Sequence, residues 1–134
     1  MRRRTLKVVV ISAAVLILLI VAGTVGITRL TNRLDAYLDD VELSAVNIAS
    51  LEDGVYHGEA DAGIIKVSLD VVVQSGEIQQ IRLLEHRNGK GGAGEGVLDT
   101  IVARQSTVVD TISGATYSSI ILMAAVQNAL NGTN

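Results

Sequence analysis

The segment Asp110-Thr111-Ile112-Ser113-Gly114-Ala115-Thr116-Tyr117-Ser118-Ser119 sets hydroxyl side chains directly ahead of the apolar run Ile120–Val126. Such a run, apolar nearly all round, reads as a largely buried helix whose amino terminus falls near Thr116. A helix start leaves several backbone N–H groups without partners and carries the positive end of the helix dipole, so an anion is its natural occupant. The same residues also read as an ordinary N-cap, with Ser or Thr satisfying the helix's own amides. Chemistry alone leaves both readings open.

A second pattern lies upstream. Gly89-Lys90-Gly91-Gly92-Ala93-Gly94 satisfies G-x-G-x-x-G, with Asp110 about 20 residues further on, where a dinucleotide fingerprint places its acid. That fingerprint needs a parallel βαβ unit, and the strand before this loop reads as half of a hairpin. The Lys90 context also fails the phosphate-loop pattern. The loop reads instead as flexible, or as bare backbone able to lie close to a flat ligand.

The elements that must position these residues are legible from period and punctuation. Asp53-Gly54 opens a strand, Val55 to Ala60. Ile65, Val67, Leu69, Val71 and Val73 alternate with polar residues as a half-buried strand. Ser75-Gly76 is a turn, and Ile78 to His86 returns as the second arm of a hairpin. Val97, Leu98, Ile101 and Val102 form the stripe of a short helix, with Glu95 and Asp99 near its start and Arg104 near its end. The last helix begins after Thr116 and stops near Gly132. Strands first and helices later predict an α+β domain with a small, mainly antiparallel sheet packed with helices.

Composition narrows the function. Of 134 residues none is Cys, Trp or Phe, and two are His. Thiolate metal sites, disulfides and haem attachment are excluded, and a multi-His metal site is implausible. From Leu51 onward 5 Lys and Arg face 10 Asp and Glu, a net of −5, against +2 before it. With scarcely any aromatic platform, that charge argues against nucleic acid. No constellation of acid, base and nucleophile marks a catalytic centre.

Val8 to Thr28 contains no charge and reads as about 31 Å of helix, the thickness of a hydrocarbon core. Arg2, Arg3, Arg4 and Lys7 precede it, so residues 1–7 read as a cytoplasmic tail, 8–28 as the anchor, and the chain from Arg29 onward as extracytoplasmic. A cleaved signal peptide is the competing reading; its h-region would be long and its small-residue sites poor. Leu30, Leu34, Leu38, Val41, Ala45 and Ile48 then recur at helical spacing, predicting a helical stalk over 29–50 and a domain over 51–134.

Asp110 to Thr116 resembles, without departure, the D-x-x-[S/T]-G-A-T motif of FMN-binding domains. These include the flavin-carrying subunits of sodium-pumping NADH:quinone reductase and of the Rnf complex. Asp53-Gly54-Val55-Tyr56-His57-Gly58 is similar to the family's opening strand, Ile64–Val67 and Gly76–Ile78 to its hairpin, Leu84–His86 to its strand end, and Gln105–Asp110 to the lead-in to the motif. The loop lacks the Thr-Pro-Gly found after this strand in relatives.

The resemblance implies FMN joined through its phosphate to the Thr116 hydroxyl, installed from FAD by a separate flavin transferase. Asp110 would then serve recognition by the transferase. Ser113 and Gly114 would set the turn and offer donors, Ala115 would belong to the same cofactor-binding motif, and Ser118 and Ser119 would bond phosphate oxygens. The residues themselves leave two readings for Tyr117, Tyr56 and His86: packing on the ring, or ordinary packing and surface roles. They place Lys90 as a candidate for the flavin's N1 edge, on a glycine loop that leaves its position undefined. That chemistry also implies redox partners in the membrane or outside it. The alternatives are a reductase of a small external acceptor and a non-redox assembly domain with an unmodified motif.

Overall fold

The computed structural model describes residues 2–87 and 92–132, with side chains from residue 7 onward. Two compact units divide between Asn32 and Arg33. The first lies within α1, Arg2–Asp40. Its side chains at Val8–Ile11 and Val15–Val21 are more than half exposed, and its most apolar window has a mean hydropathy of 3.0. By length and composition α1 can cross a membrane; an amino-terminal signal sequence meets the same criterion. Ser and Thr hydroxyls of the described part of its apolar run bond within the helix. Ser12 donates to Val9 O at 3.0 Å, Thr24 to Val21 O at 2.9 Å and Thr28 to Thr24 O at 2.9 Å, as a polar group in an apolar medium requires.

The second unit holds β1, Gly54–Asp61, β2, Lys66–Gln74, and β3, Glu77–Arg87. They form one antiparallel sheet in the order β1-β2-β3. The β2–β3 turn has Ser75 at φ +55° and Gly76 at φ +75°, the pair of left-handed residues that a two-residue hairpin needs to match strand twist. Two bulges interrupt the β2–β3 ladder, next to Leu69 and Val73, where Leu84 and Gln79 are the extra residues.

Alternation decides which sheet face is buried. Val67, Leu69, Val71 and Val73 face the core with Gly58, Ala60 and Ile78, while His57, Glu59 and Arg82 face water. Covering that core face is α3, Thr116–Asn131. β-branched Ile120, Ile121 and Val126 each lower helix propensity by a few tenths of a kcal/mol. Burying Ile121, Leu122, Met123, Val126 and Leu130, each at most 2% exposed, is worth about 1.5–3 kcal/mol apiece and decides the matter. Helix and sheet meet closely at Gly58, where a Cβ would lie 2.2 Å from Ala125 O and 2.6 Å from Ala129 Cβ. Any side chain there forces α3 off the sheet. The short helix α2, Gly96–Arg104, packs beside β3.

The helical stalk is corrected in part. Helix α1 ends at Asp40, and Val41 to Asn47 run without helix into a 3-10 turn, Ile48–Ser50. Val41, Val46 and Ile48 pack on the core with Leu34 and Leu38 rather than forming a free stripe. Side chains of the domain compete for the backbone here. Ser44 donates its N–H to Gln127 Oε1 at 2.9 Å, and Thr107 Oγ1 accepts from Val46 N–H and donates to Ser44 O, both at 3.0 Å. Of the apolar repeat, Leu34, Leu38, Val41 and Ile48 pack on the core, the first two from a helix and the others from a non-helical strap and its 3-10 turn, while Leu30 and Ala45 are exposed.

Candidate functional site

The segment between α2 and α3 is irregular, and side chains rather than ladders fix it. Gln105 ends α2 in the left-handed region at φ +51°. Its amide then meets the edge of β3 as a neighbouring strand would. Oε1 accepts from Ile78 N–H at 2.7 Å, and Nε2 donates to Ile78 O and Val102 O at 2.8 Å. Next, Thr107 is fully buried under the strap. Val109 N–H lies 3.4 Å from Met123 Sδ, tying the chain to α3 from below.

The residues ahead of α3 close a tight turn. Ala115 N–H donates to Ile112 O at 3.0 Å, with Gly114 at φ +80°, a conformation that costs glycine nothing. Ser119, fully buried, locks this turn from inside the helix. Its hydroxyl accepts from Ile112 N–H at 3.0 Å and donates to Ala115 O at 2.9 Å. Both are internal bonds, so Ser119 is a member of the turn's own frame.

The N-cap position of α3 falls to Ala115, and no side chain caps it. The first bond of the helix is Ser119 N–H to Ala115 O at 2.9 Å, so the amides of Thr116, Tyr117 and Ser118 precede it without intrahelical acceptors. The ordinary N-cap reading is thereby corrected: hydroxyls crowd this helix start, yet none closes it. Thr116 is exposed, Tyr117 is 54% exposed, and Asp110 and Ser113 are exposed. Ser118, 2% exposed, has a buried Oγ with no hydrogen-bond partner.

The glycine-rich segment packs against Ser118. Its described part is a 3-10 turn, Gly92–Glu95, and a Cβ on Gly94 would lie 2.9 Å from Ser118 Cβ and 3.2 Å from Ser119 N. The turn is held by His86 at the end of β3. The His86 side chain is 2% exposed, with Nδ1 2.7 Å from Glu95 Oε1. Three pieces thus converge: the end of β3, the bare turn and the first turn of α3. Sequence reasoning missed Glu95 as the partner of His86, although nine residues with a glycine loop between them is the spacing of a closed clasp. Lys90 lies outside the described residues.

The remaining candidates lie elsewhere or stand alone. Tyr56 donates its hydroxyl to Glu52 O at 2.6 Å, a structural bond at the start of β1. His57 is on the sheet's water face, with Nδ1 2.9 Å from Asp70 and Nε2 3.5 Å from Glu59. The bond to Asp70, and then that to Glu59, raises its pKa above the ordinary histidine value. Asp110 lies 3.9 Å from Arg104, and its side chain is 95% exposed. Among the described residues no group of three or more His, Asp or Glu is placed to hold a metal ion.

Three features fit a phosphate-bearing group at the start of α3: uncapped amides, a buried hydroxyl without a partner, and an exposed threonine hydroxyl at the helix's first residue. Residues 62–131 match the family model described as FMN-binding domain. Over 85 residues the chain is 36% identical to a protein of Treponema pallidum (strain Nichols) described as an uncharacterized protein, an alignment covering 61% of this chain and 24% of that protein. The chain therefore spans about a quarter of the length of that relative.

Proposed function

Because the chain belongs to the FMN-binding domain family, we propose that it is a membrane-anchored electron-transfer flavoprotein with FMN bound covalently to Thr116. The observation that carries this reading is the open start of α3. Thr116 is its first residue, exposed, and no side chain occupies the amides beside it. A phosphoester on Thr116 would keep its charged oxygens at those N–H groups and at the positive end of a 16-residue helix.

In the attachment reaction Thr116 Oγ forms a bond to the flavin-side phosphorus of FAD. The P–O bond of the pyrophosphate bridge breaks, AMP leaves, and the hydroxyl proton is released; nothing is oxidised or reduced. The chain contributes an accessible nucleophile, and a separate magnesium-dependent transferase supplies the activation. Asp110 is suited to recognition by that enzyme because it stands clear of the surface. Gly114 and Ser119 hold the turn that presents Thr116. Once bound, the isoalloxazine supplies the redox chemistry, and the protein supplies position and electrostatics.

A covalent link has a physical purpose for a domain outside the cytoplasm. A site with a dissociation constant around micromolar, facing flavin around nanomolar, would be about a thousandth occupied. An ester removes dissociation. The amino-terminal cluster Arg2, Arg3, Arg4 and Lys7, facing acids from Asp35 onward, supports an inside amino terminus and an extracytoplasmic domain. The test is co-expression of Thr116→Ala with a flavin transferase, then denaturing electrophoresis. The wild-type band fluoresces as flavin; a fluorescent variant band overturns Thr116 as the attachment residue.

A further inference from the structure

The charge of this molecule is divided as unevenly as its hydropathy. Residues 1–32 carry five Lys and Arg and no acid, whereas from Arg33 to the end 6 Lys and Arg face 14 Asp and Glu, a net of −8. The acids are spread rather than clustered. They occur on the end of α1, the strap, all three strands, the Gly92–Glu95 turn, α2 and the motif, and every one except half-buried Asp70 is exposed. The cations are fewer and partly engaged: Lys66 lies 3.6 Å from Glu85, and Arg104 3.9 Å from Asp110. Among the described residues, Glu95 belongs to the turn that packs on Ser118, and Asp110 lies in the segment leading into α3 with Arg104 3.9 Å away.

A field of one sign over a small domain acts on encounter rates at long range. We propose that the electron acceptor served by this domain is positively charged, whether throughout or on the face that meets it. The inference rests on the flavin reading and adds the class of acceptor. The transfer is outer-sphere. Two electrons and two protons leave the reduced flavin, the protons pass to water, and two equivalents of a one-electron acceptor are each reduced once, with no bond made between the partners. Thr116 and Tyr117 are exposed, so a redox group attached there is open to collision.

The experiment uses the full chain, flavinylated in cells that express a transferase and purified in an uncharged detergent. The flavin is reduced, and its reoxidation is tracked by stopped-flow absorbance with hexaammineruthenium(III) or with ferricyanide, from about 0.01 to 0.3 M salt. Over that range the screening length falls from about 30 Å to below 10 Å. The rate with the ruthenium cation falls about tenfold or more as salt rises, and the rate with ferricyanide increases. The sign of each slope is independent of the two acceptors' different driving forces. Flat slopes, or slopes of reversed sign, on flavin-bearing protein overturn the charge preference and leave the flavin reading standing. Protein that emerges without flavin overturns the reading beneath it.

Discussion

Gly94 lies directly on Ser118: a Cβ built on the glycine would stand 2.9 Å from the serine's Cβ. That contact joins two stretches of sequence that look unrelated, a glycine-rich loop and a helix-start motif. It accounts for a bare residue in the turn Gly92–Glu95, which closes over the first turn of α3 and is clasped by His86.

Gly94→Ala therefore pushes this turn away from α3. The backbone nitrogen of Ser119 at 3.2 Å leaves little room to yield, and overpacking of this kind costs about 1–3 kcal/mol. Chemical denaturation should show that loss. If stability is unchanged, the turn does not rest on α3 in solution.

Ser119→Ala removes two bonds from a fully buried hydroxyl, leaving Ile112 N–H and Ala115 O without it. The expected loss is about 1–3 kcal/mol. Because the same bonds shape the turn presenting Thr116, the fraction of protein flavinylated should fall also, with Thr116 itself intact. Full flavin incorporation in the variant would remove Ser119 from the presentation of Thr116. Electrophoretic flavin fluorescence relative to protein stain measures it.

Gln105→Leu keeps volume but strips β3 of its side-chain neighbour. Ile78 N–H and O both lose a partner, for an expected cost of about 2–4 kcal/mol. Amide exchange at Ile78 should accelerate more than at Val71 in the strand interior. Equal acceleration at both would place the damage elsewhere.

His57 should titrate above the ordinary histidine value, held protonated first by Asp70 and then by Glu59. A folded pKa above the unfolded one means that its contribution to stability is fully present below the unfolded pKa and is lost as pH rises through the folded one. His57 is solvent-exposed, so the effect on stability is small. Histidine NMR titration reads it directly: Asp70→Asn lowers the midpoint, and an unmoved midpoint would show that the pair does not form.

Much of this architecture is legible in the sequence, for reasons that can be named. The period-two run Ile65 to Val73 and the Ser75-Gly76 turn specify the hairpin, because alternation and left-handed turn residues are local properties. The all-round apolar run after Thr116 likewise announces a buried helix. What is not legible depends on distant partners. The repeat Val41, Ala45, Ile48 has helical spacing, yet Gln127 and Thr107 capture that backbone in non-helical form. A string of hydroxyls before α3 suggests a cap, yet Ser119 reaches back to Ile112 and Ala115 and leaves the first amides open. Neither outcome can be read from spacing, since both are set by groups that meet only after folding.

The central claim is one bond, between the Thr116 hydroxyl and a flavin phosphate. Trypsin cleaves after Arg104, and no Lys or Arg interrupts the motif, so the tryptic peptide that starts at Gln105 carries it whole. Mass spectrometry of that peptide, from protein isolated out of its own cells, should find the mass of FMN less one water, with fragment ions placing it on Thr116. A peptide of unmodified mass throughout the preparation, or an adduct on another residue, would contradict the account.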